Sequence, residues 1–568
     1  MLPAGASGSA GFSLHIVNRE TRAMLKLRRA LLLMTAPLAL AMPTVAQAAP
    51  AGAVPPDAIP ARKEGVGPYA RVVLRNVTII DGTGAPPQGP IDLVIENDRI
   101  AQIKSIGVPK AIDESARAAK GDYEMDLTGY TVMPGFVDGH VHLHNMADDQ
   151  KVPSEYILKL WMANGITSVR DLGSGQPIEW LKGIKDRSAR NEIVAPRIDI
   201  YPMFHQIRTT PVNDPVQARL AIQEAKKRGA DGIKFIGGAE DVLFAAIEET
   251  RKIGLRSTMH HAQPSVAYAN VLTTSAHGLE SMEHWYGLPE AMFTDKRIQA
   301  WPADFINNDE QMRFGESGRL WAQTAKPGSD KWNAVMDTLL ERNFALDPTF
   351  TAYLTSRDFM RMSRAEWHAD YTMPGLWDFY RPSRVNHGAY WFDWTTEDEM
   401  AWKENYRLWM QFVNEYKNRG GLVSIGSDAG YIYNLYGFGY IQEMELMREA
   451  GFSPLEVIHA ATQVGAKVLG HEDQVGTIRV GRKADLAIVK GNPAANMKLL
   501  FGTGTIKLND ETGKVERIGG IAYTVKDGII YDAADLRRQV RDMVSRSKAE
   551  RGLPPGIMTI VNAEPAAN

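Results

Sequence analysis

Two imidazoles stand two residues apart in Gly135-Phe136-Val137-Asp138-Gly139-His140-Val141-His142, directly after an apolar run. In an extended strand alternate side chains share a face, so His140 and His142 point the same way. Neutral imidazole is the commonest ligand of divalent metals, and such a pair at a strand's end supplies half of a metal site. A solvated His-rich turn, extended by His144, is the competing reading. Further candidate ligands recur at the ends of strand-like runs: Lys234, His261, His284 and Asp428. Lys234 is flanked by apolar residues in Gly232-Ile233-Lys234-Phe235, where a lone buried ammonium would be costly. Burial lowers its pKa and exposes an amine that can take up carbon dioxide, giving a carbamate whose two oxygens can bridge two cations. A lysine that snorkels to solvent or pairs with an acid is the alternative.

The rest of the chain narrows what these residues can hold. Its 568 residues are 44% hydrophobic and 23% charged, the balance of a globular enzyme rather than of a disordered or polytopic membrane protein. With 64 basic against 67 acidic side chains the net charge is −3, and no basic block is present, which argues against nucleic acid as a partner. Cysteine is absent; that excludes disulfide scaffolds, thiolate metal sites and cysteine nucleophiles, so any metal is held by His, carboxylate or modified Lys. No nucleophile elbow, His-Glu-x-x-His pair, phosphate loop or dinucleotide fingerprint competes with metal hydrolysis.

At the start of the chain, Lys26, Arg28 and Arg29 precede the apolar run Ala30–Met42, which ends at Ala46-Gln47-Ala48. Basic flank, short apolar stretch and small residues at the cleavage positions fit a secretory signal, while a run this short does not span ~30 Å of hydrocarbon. Cleavage before Ala49 removes five basic residues and one acidic, leaving 59 against 66. The expectation is an exported, periplasmic or secreted protein without stable membrane insertion after cleavage.

Between these ligands and the termini, two kinds of element must position the site. Val72–Ile80 and Ile91–Ile103 near one end, and Ala484–Val489, Gly519–Val525 and Gly528–Tyr531 near the other, read as short antiparallel strands broken by Gly-, Pro- and Asn-rich turns. They predict one small β-sandwich built from both terminal segments. The middle alternates apolar strand-like runs, among them Thr167–Asp171, Gly232–Gly237, Leu255–His261, Leu279–His284, Phe344–Thr349 and Leu422–Asp428, with helical patterns. That alternation predicts an α/β fold, a (β/α)8 TIM barrel with a parallel sheet. An eight-unit barrel takes ~250 residues, so the surplus between Trp285 and Gly420 is an insertion. It holds Trp367, Trp377, Trp391, Trp394, Trp402 and Trp409, six of the 12 tryptophans. These make either a helical subdomain core or a lid over a bulky aromatic substrate. Arg381, Arg384 and His387 in it could meet a substrate carboxylate or form an exposed face; His205, His277 and Glu283 read as supporting or surface residues.

From Val72 to Leu536 the chain resembles the amidohydrolase superfamily, above all its imidazolonepropionase-like and Xaa-Pro dipeptidase-like members with two metals. The segments that carry the resemblance are VTIIDGTG, VMPGFVDGHVH, NGITSVRDLG, GADGIKF, HHA, ESMEH, IGSDAG, FSPLEVIHAATQVGAKVLG and GTIRVGRKADLAIVKGNP, in that order. The resemblance implies that His140 and His142 are the first-strand ligands, Lys234 the carboxylated bridging lysine, His261 and His284 the fifth- and sixth-strand ligands, and Asp428 the eighth-strand aspartate. His261 is taken over its neighbour His260 because Ala262 follows it. Two divalent ions are implied, zinc suiting His and oxygen ligands best, with manganese, iron or cobalt also compatible. The implied reaction is hydrolysis of an amide or peptide bond of a small molecule, by attack of a metal-bridged hydroxide with Asp428 as proton shuttle. A cyclic amide or ester is the second option, and a non-catalytic periplasmic binding protein the option from another class. The predicted division is a signal peptide at 1–48, a flexible leader at 49–71, sandwich parts at 72–134 and 471–536, and the hydrolase barrel at 135–470 with its insertion at about 286–420. A C-terminal helix and tail follow at 537–568. Assembly into a homo-oligomer is left open by the sequence.

Overall fold

Short apolar runs punctuated by Gly, Pro, Asn and Asp fold as strands where each can pair with a neighbour. The computed structural model describes residues 59–143, 152–384 and 388–560, which lie in one compact unit, Gly52–Asn568. The signal segment expected at 1–48, together with His144 and His387, lies outside the described residues. The meander β1 (Val72–Ile79), β2 (Gln88–Glu96) and β3 (Arg99–Ser105) opens the chain. Asn97, at φ 54°, turns β2 into β3, a left-handed conformation that asparagine tolerates. A ribbon of β4 (Gly107–Val108) and β5 (Ala111–Ile112) follows, then β6 (Tyr123–Asp126) and β7 (Tyr130–Pro134), both parallel to β1.

Eight parallel strands then succeed one another in chain order: β8 (Phe136–Val141), β9 (Ile166–Asp171), β10 (Arg197–Ile200), β11 (Gly232–Phe235), β12 (Arg256–Met259), β13 (Ser281–Glu283), β14 (Ala345–Asp347) and β15 (Leu422–Val423). They form a three-stranded and a five-stranded sheet. Asp231 N–H donates to Ile200 O at 2.9 Å and Lys234 N–H to Pro202 O at 3.1 Å, joining β10 to β11. At the other end Gly139 N–H donates to Ile425 O and Asp428 N–H to His140 O, each at 2.8 Å, so the chain beyond β15 returns beside β8. β8 and β9 are covered on both faces and buried at every position, their polar residues Asp138, His140, Arg170 and Asp171 included. The helix Pro215–Arg228 shows how the outer layer is built. Asp214 caps it by accepting from Val216 and Gln217 N–H, Pro215 opens it, Gly229 at φ 103° ends it, and Ala218, Ala221, Ile222 and Ala225 face inward.

The last strands are β16 (Leu486–Lys490), the exposed hairpin β17 (Thr505–Asn509) with β18 (Lys514–Ile518), β19 (Ile521–Lys526) and β20 (Ile529–Asp532). β16, β19 and β20 join β1, β2, β3, β6 and β7 in one eight-stranded mixed sheet, so both ends of the chain share it. The margin strand β3 also meets the segment before β16, where Ile100 N–H donates to Arg482 O at 2.9 Å. Val72, Leu74, Leu93, Ile95, Leu486 and Val525 are buried together on its inner face. The leader expected to be loose over 49–71 is held in its described part. Val66 and Ile530 exchange both backbone hydrogen bonds at 3.0 Å, and Glu64 pairs with Lys159 at 2.9 Å; those two partners, distant in sequence, order a segment whose own composition could not. The C-terminal helix runs Ala533–Glu550 from an Asp532 cap. Among the described residues no helix is long and apolar enough to cross a membrane.

Candidate metal centre

The C-terminal ends of the parallel strands surround a cavity of about 320 Å³, and His140, His142, Lys234, His260, His284 and Asp428 form one side of it. His140 and His142 leave β8 on one face, their Nε2 atoms 3.2 Å apart. Asp428 Oδ1 lies 3.4 Å from His140 Nε2 and 3.2 Å from His142 Nε2, while Oδ2 lies 3.7 Å from His284 Nε2. Both His284, at φ 59°, and Asp428, at φ 47°, adopt the left-handed backbone region, a conformation that costs non-glycine residues free energy and concentrates at functional sites. Gly426 precedes Asp428 where any Cβ would collide with the Asp347 carboxylate and lie 2.7 Å from His140 Cβ. The strand can approach β8 this closely only without a side chain.

The donor set suits a cation. Gly173 O is 2.8 Å from His142 Nδ1; a carbonyl can only accept, so Nδ1 carries the proton and neutral His142 presents a bare Nε2 lone pair. That lone pair faces His140 Nε2 and a carboxylate oxygen at 3.2 Å, an arrangement that repels unless a proton or a metal lies among the three. Burial lowers His142, but hydrogen bonding and attraction to Asp428 outweigh it and raise its pKa. His140 goes the other way, held well below the ordinary imidazole value by burial and by Lys234 and His142. His284 Nδ1 meets Thr349 Oγ1 at 2.5 Å, which orients its ring.

The structure corrects one expected ligand. His261 Nε2 lies 2.9 Å from Thr274 Oγ1 and the residue is fully buried away from the cavity; burial brings its pKa down to about 3. His260 takes the position at the cavity, its ring 4.8 Å from that of His284 and 5.4 Å from that of Tyr286. The pleat explains this. Thr258 points inward, its hydroxyl on Glu283, so the residue two further on shares its face and the residue three further on does not.

Below the imidazoles lies a buried charged layer that the sequence signalled only weakly. Lys234 Nζ pairs with Glu283 Oε2 at 2.5 Å, with Arg170 NH2 4.0 Å from Glu283 and 3.6 Å from Asp347. Burial lowers the Lys234 pKa against the pull of Glu283. Asp347 is pushed up to about 7 by burial despite Arg170. Asp138 ties the first strand to the last: its carboxylate accepts from Ser427 N at 2.8 Å, Ser427 Oγ at 2.6 Å and His140 N at 3.2 Å, and burial raises its pKa to about 8. Asp171 accepts from Leu143 N at 2.8 Å and Gly173 N at 3.1 Å, holding the loop that fixes His142. Asp138 stands two residues before His140, whereas Asp347 has no such neighbour; the sequence reading singled out neither.

The remaining candidates separate. Glu283 belongs to the centre through Lys234. His205 is exposed and His277 pairs with Glu248 at 2.8 Å on the surface. Arg381 donates to Thr559 O and Arg384 stands over Phe392, both away from the cavity. None of the nine tryptophans between 286 and 420 lines the cavity; Trp377, Trp402 and Trp409 are buried as a helical core. The same insertion nevertheless lends Arg313, Phe314, Tyr353 and Tyr390 to the cavity wall.

Residues 410–530 match the amidohydrolase family, Amidohydro_1. A stretch of 124 residues is 29% identical to a dihydroorotase from Thermoanaerobacter sp. (strain X514), spanning 21% of this chain and only 26% of that protein. A solved Xaa-Pro dipeptidase with bound methionine is similar over 81% of this chain and all of its own, at 18% identity and a TM-score of 0.53. Bottromycin amidohydrolase is similar over 87% of this chain and 94% of its own, at 19% identity and a TM-score of 0.56. The matched C-terminal stretch and the shared α/β fold make this chain similar to amidohydrolases.

Proposed function

We propose that this chain is an exported, metal-dependent amidohydrolase that cleaves an amide or peptide C–N bond of a small molecule in the cavity at the ends of β8–β15, read as a (β/α)8 barrel beside a β-sandwich. The observation that carries the reading is the convergence of His140 Nε2, His142 Nε2 and Asp428 within 4.8 Å of one another. Two divalent ions, zinc being the best match to His and oxygen donors, would be held by His140, His142, His260, His284 and Asp428, with Lys234 as a bridging carbamate. When bound, such ions supply Lewis acidity to a scissile carbonyl and lower the pKa of water toward neutrality. Asp428, at the open side of the imidazole cluster, accepts a proton on a carboxylate oxygen and returns it to the departing amine nitrogen. Gly173 and Thr349 hold the rings of His142 and His284 in place. Phe314, Tyr353 and Tyr390 exclude bulk water, which strengthens every charge interaction inside. Lys234 would reach its carbamate by giving up one proton and its pairing with Glu283, then adding its free amine to carbon dioxide with loss of a second proton; its lowered pKa favours the free amine.

The dihydroorotase match supports a cyclic amide or ester as the second reading of the same centre. The deciding experiment is a turnover screen of metal-loaded protein against dipeptides, N-acyl amino acids, cyclic amides and lactones, with elemental analysis alongside. Amine release with about two metals per chain supports the proposal; stoichiometric absence of metal and of turnover points to a binding protein. Isotopically labelled bicarbonate reports Lys234 carboxylation, and N-terminal sequencing of protein from its source reports cleavage near Ala49.

A further inference from the structure

Two lysine or arginine side chains reach the cavity, Lys234 and Arg313, among the described residues. Lys234 is taken up by Glu283 at 2.5 Å. Arg313 is not matched in the same way. Glu310 accepts from its NH2 at 3.0 Å, yet its Nε–H is buried and meets no acceptor. The guanidinium carbon stands 4.9 Å from the centre of the Phe314 ring, another cavity residue. Asn307, from the same insertion, also lines the cavity with a buried amide oxygen that no donor reaches. Buried polar atoms of this kind are rare unless a ligand or water completes them. The remainder of that wall is aromatic: Phe314, Tyr353, Tyr390 and Tyr431.

We propose that Arg313 is a specificity-determining residue that pairs with a carboxylate carried by the substrate in addition to its scissile amide. This inference rests on the amide-hydrolase reading above and names its substrate class, an aromatic or bulky apolar amide bearing a free carboxylate, such as an N-acyl amino acid. A guanidinium presents donors in a planar fork that matches a carboxylate with two hydrogen bonds. Aromatic walls keep the pair dry, so the attraction is screened less than at the surface. A neutral ligand would leave Nε unmet, and a cationic one would face like charge. Asn307 supplies an acceptor for a donor on the same ligand, as an N-acyl amide N–H would be. Glu310 takes one Nη2 hydrogen, which leaves Nε–H for the ligand.

The test separates binding from turnover. Hydrocinnamate and hydrocinnamyl alcohol share an aromatic ring and differ in the carboxylate, and neither has an amide to cleave. Calorimetric titration of the metal-loaded protein should show the acid bound about 10–100-fold more tightly than the alcohol. Arg313→Gln should bring the two within about two-fold, Arg313→Lys should keep part of the preference, and Arg407→Gln, an exposed change on another helix, should keep all of it. Melting curves confirm that each variant is folded. Equal binding of the two probes, no binding of the acid, or a preference that survives Arg313→Gln overturns the assignment. In parallel, N-benzoyl-phenylalanine and N-benzoyl-phenethylamine present the same scissile amide with and without the carboxylate. If neither is cleaved while the binding preference still follows Arg313, the hydrolase reading fails and the carboxylate site stands.

Discussion

The chain buries two clusters of ionisable groups, and they are built on opposite rules. At the junction between the mixed sheet and the parallel strands, Arg197 forks onto Asp485 at 2.9 and 3.3 Å and also pairs with Asp527. Lys483 reaches Asp527 at 3.1 Å and pairs with Asp98. Lys526 donates to Ser188 O and Asn191 Oδ1 at 2.8 Å each. Burial alone would raise Asp527, but Arg197, Lys526 and Lys483 hold its carboxyl far below the ordinary range. At the candidate metal centre the carboxyls of Asp138 and Asp347 move upward to about 8 and about 7, because burial there outweighs the cations and donors supplied. Every junction acid named has a cation; the centre gathers lone pairs and leaves His140 Nδ1 and Asp347 Oδ1 without hydrogen-bond partners. A structural cluster is closed by its own residues, whereas a cluster that awaits a ligand is not.

If that contrast holds, the largest functional loss comes from the open cluster. Asp428→Asn should lower kcat by about 10²–10⁴-fold with little change in melting temperature. Metal content measured on the same sample keeps the two roles apart: retained metal with near-normal kcat would remove Asp428 from proton transfer, and lost metal would make it a ligand first. The mirror experiment is Arg197→Met at the junction, which strands Asp485, leaves Asp527 to Lys483 and Lys526, and should cost about 3–5 kcal/mol of stability while leaving kcat per folded molecule unchanged. Denaturant titration and active-site-normalised rates check both halves.

A finer cut separates adjacent histidines. His260→Ala should weaken metal binding by about 10–100-fold, whereas His261→Ala should lower stability and leave metal content alone. Equal metal loss in both would return His261 to the ligand set. The smallest effect is expected at the rim of the junction, where His471 Nε2 meets Asp199 Oδ2 at 2.7 Å. The Asp199 hydrogen bond raises the His471 pKa above 6.5 against partial burial, with Asp231 adding to it and Lys185 opposing. A raised folded-state pKa stabilises the fold fully below the unfolded value and loses that contribution as pH rises through the folded one. The melting-temperature gap between wild type and His471→Gln should therefore narrow from about pH 5.5 to about pH 8.5, in the window set by that imidazole. A gap that does not change with pH would assign the contact to packing.

Much of the centre was legible because its chemistry is local. A His-x-His pair after an apolar run predicts two same-facing imidazoles, and His140 and His142 do face each other across 3.2 Å. Lys234, flanked by apolar residues, could be recognised as buried before its partner was known, and Glu283 is the acid that meets it. Where the reading slipped, the deciding fact was one residue of strand phase: between His260 and His261, motif similarity pointed to one and the pleat to the other. Strand phase depends on which carbonyls the neighbouring strands offer, and no property of the His260-His261 dipeptide encodes that.

The sequence by itself determined the kinds of element and the kinds of ligand, since periodicity, turn residues and imidazole chemistry act within a few positions of one another. Only the tertiary structure decided how distant segments meet. It set Asp347 against Gly426 and His140, held residues 62–66 through Ile530, Lys159 and Asn191, and turned the insertion so that its tryptophans pack inward while Arg313, Phe314 and Tyr390 face the cavity. Those outcomes follow from the packing of side chains more than a hundred residues apart in most cases, where close contact and desolvation choose among faces that a linear pattern leaves equivalent.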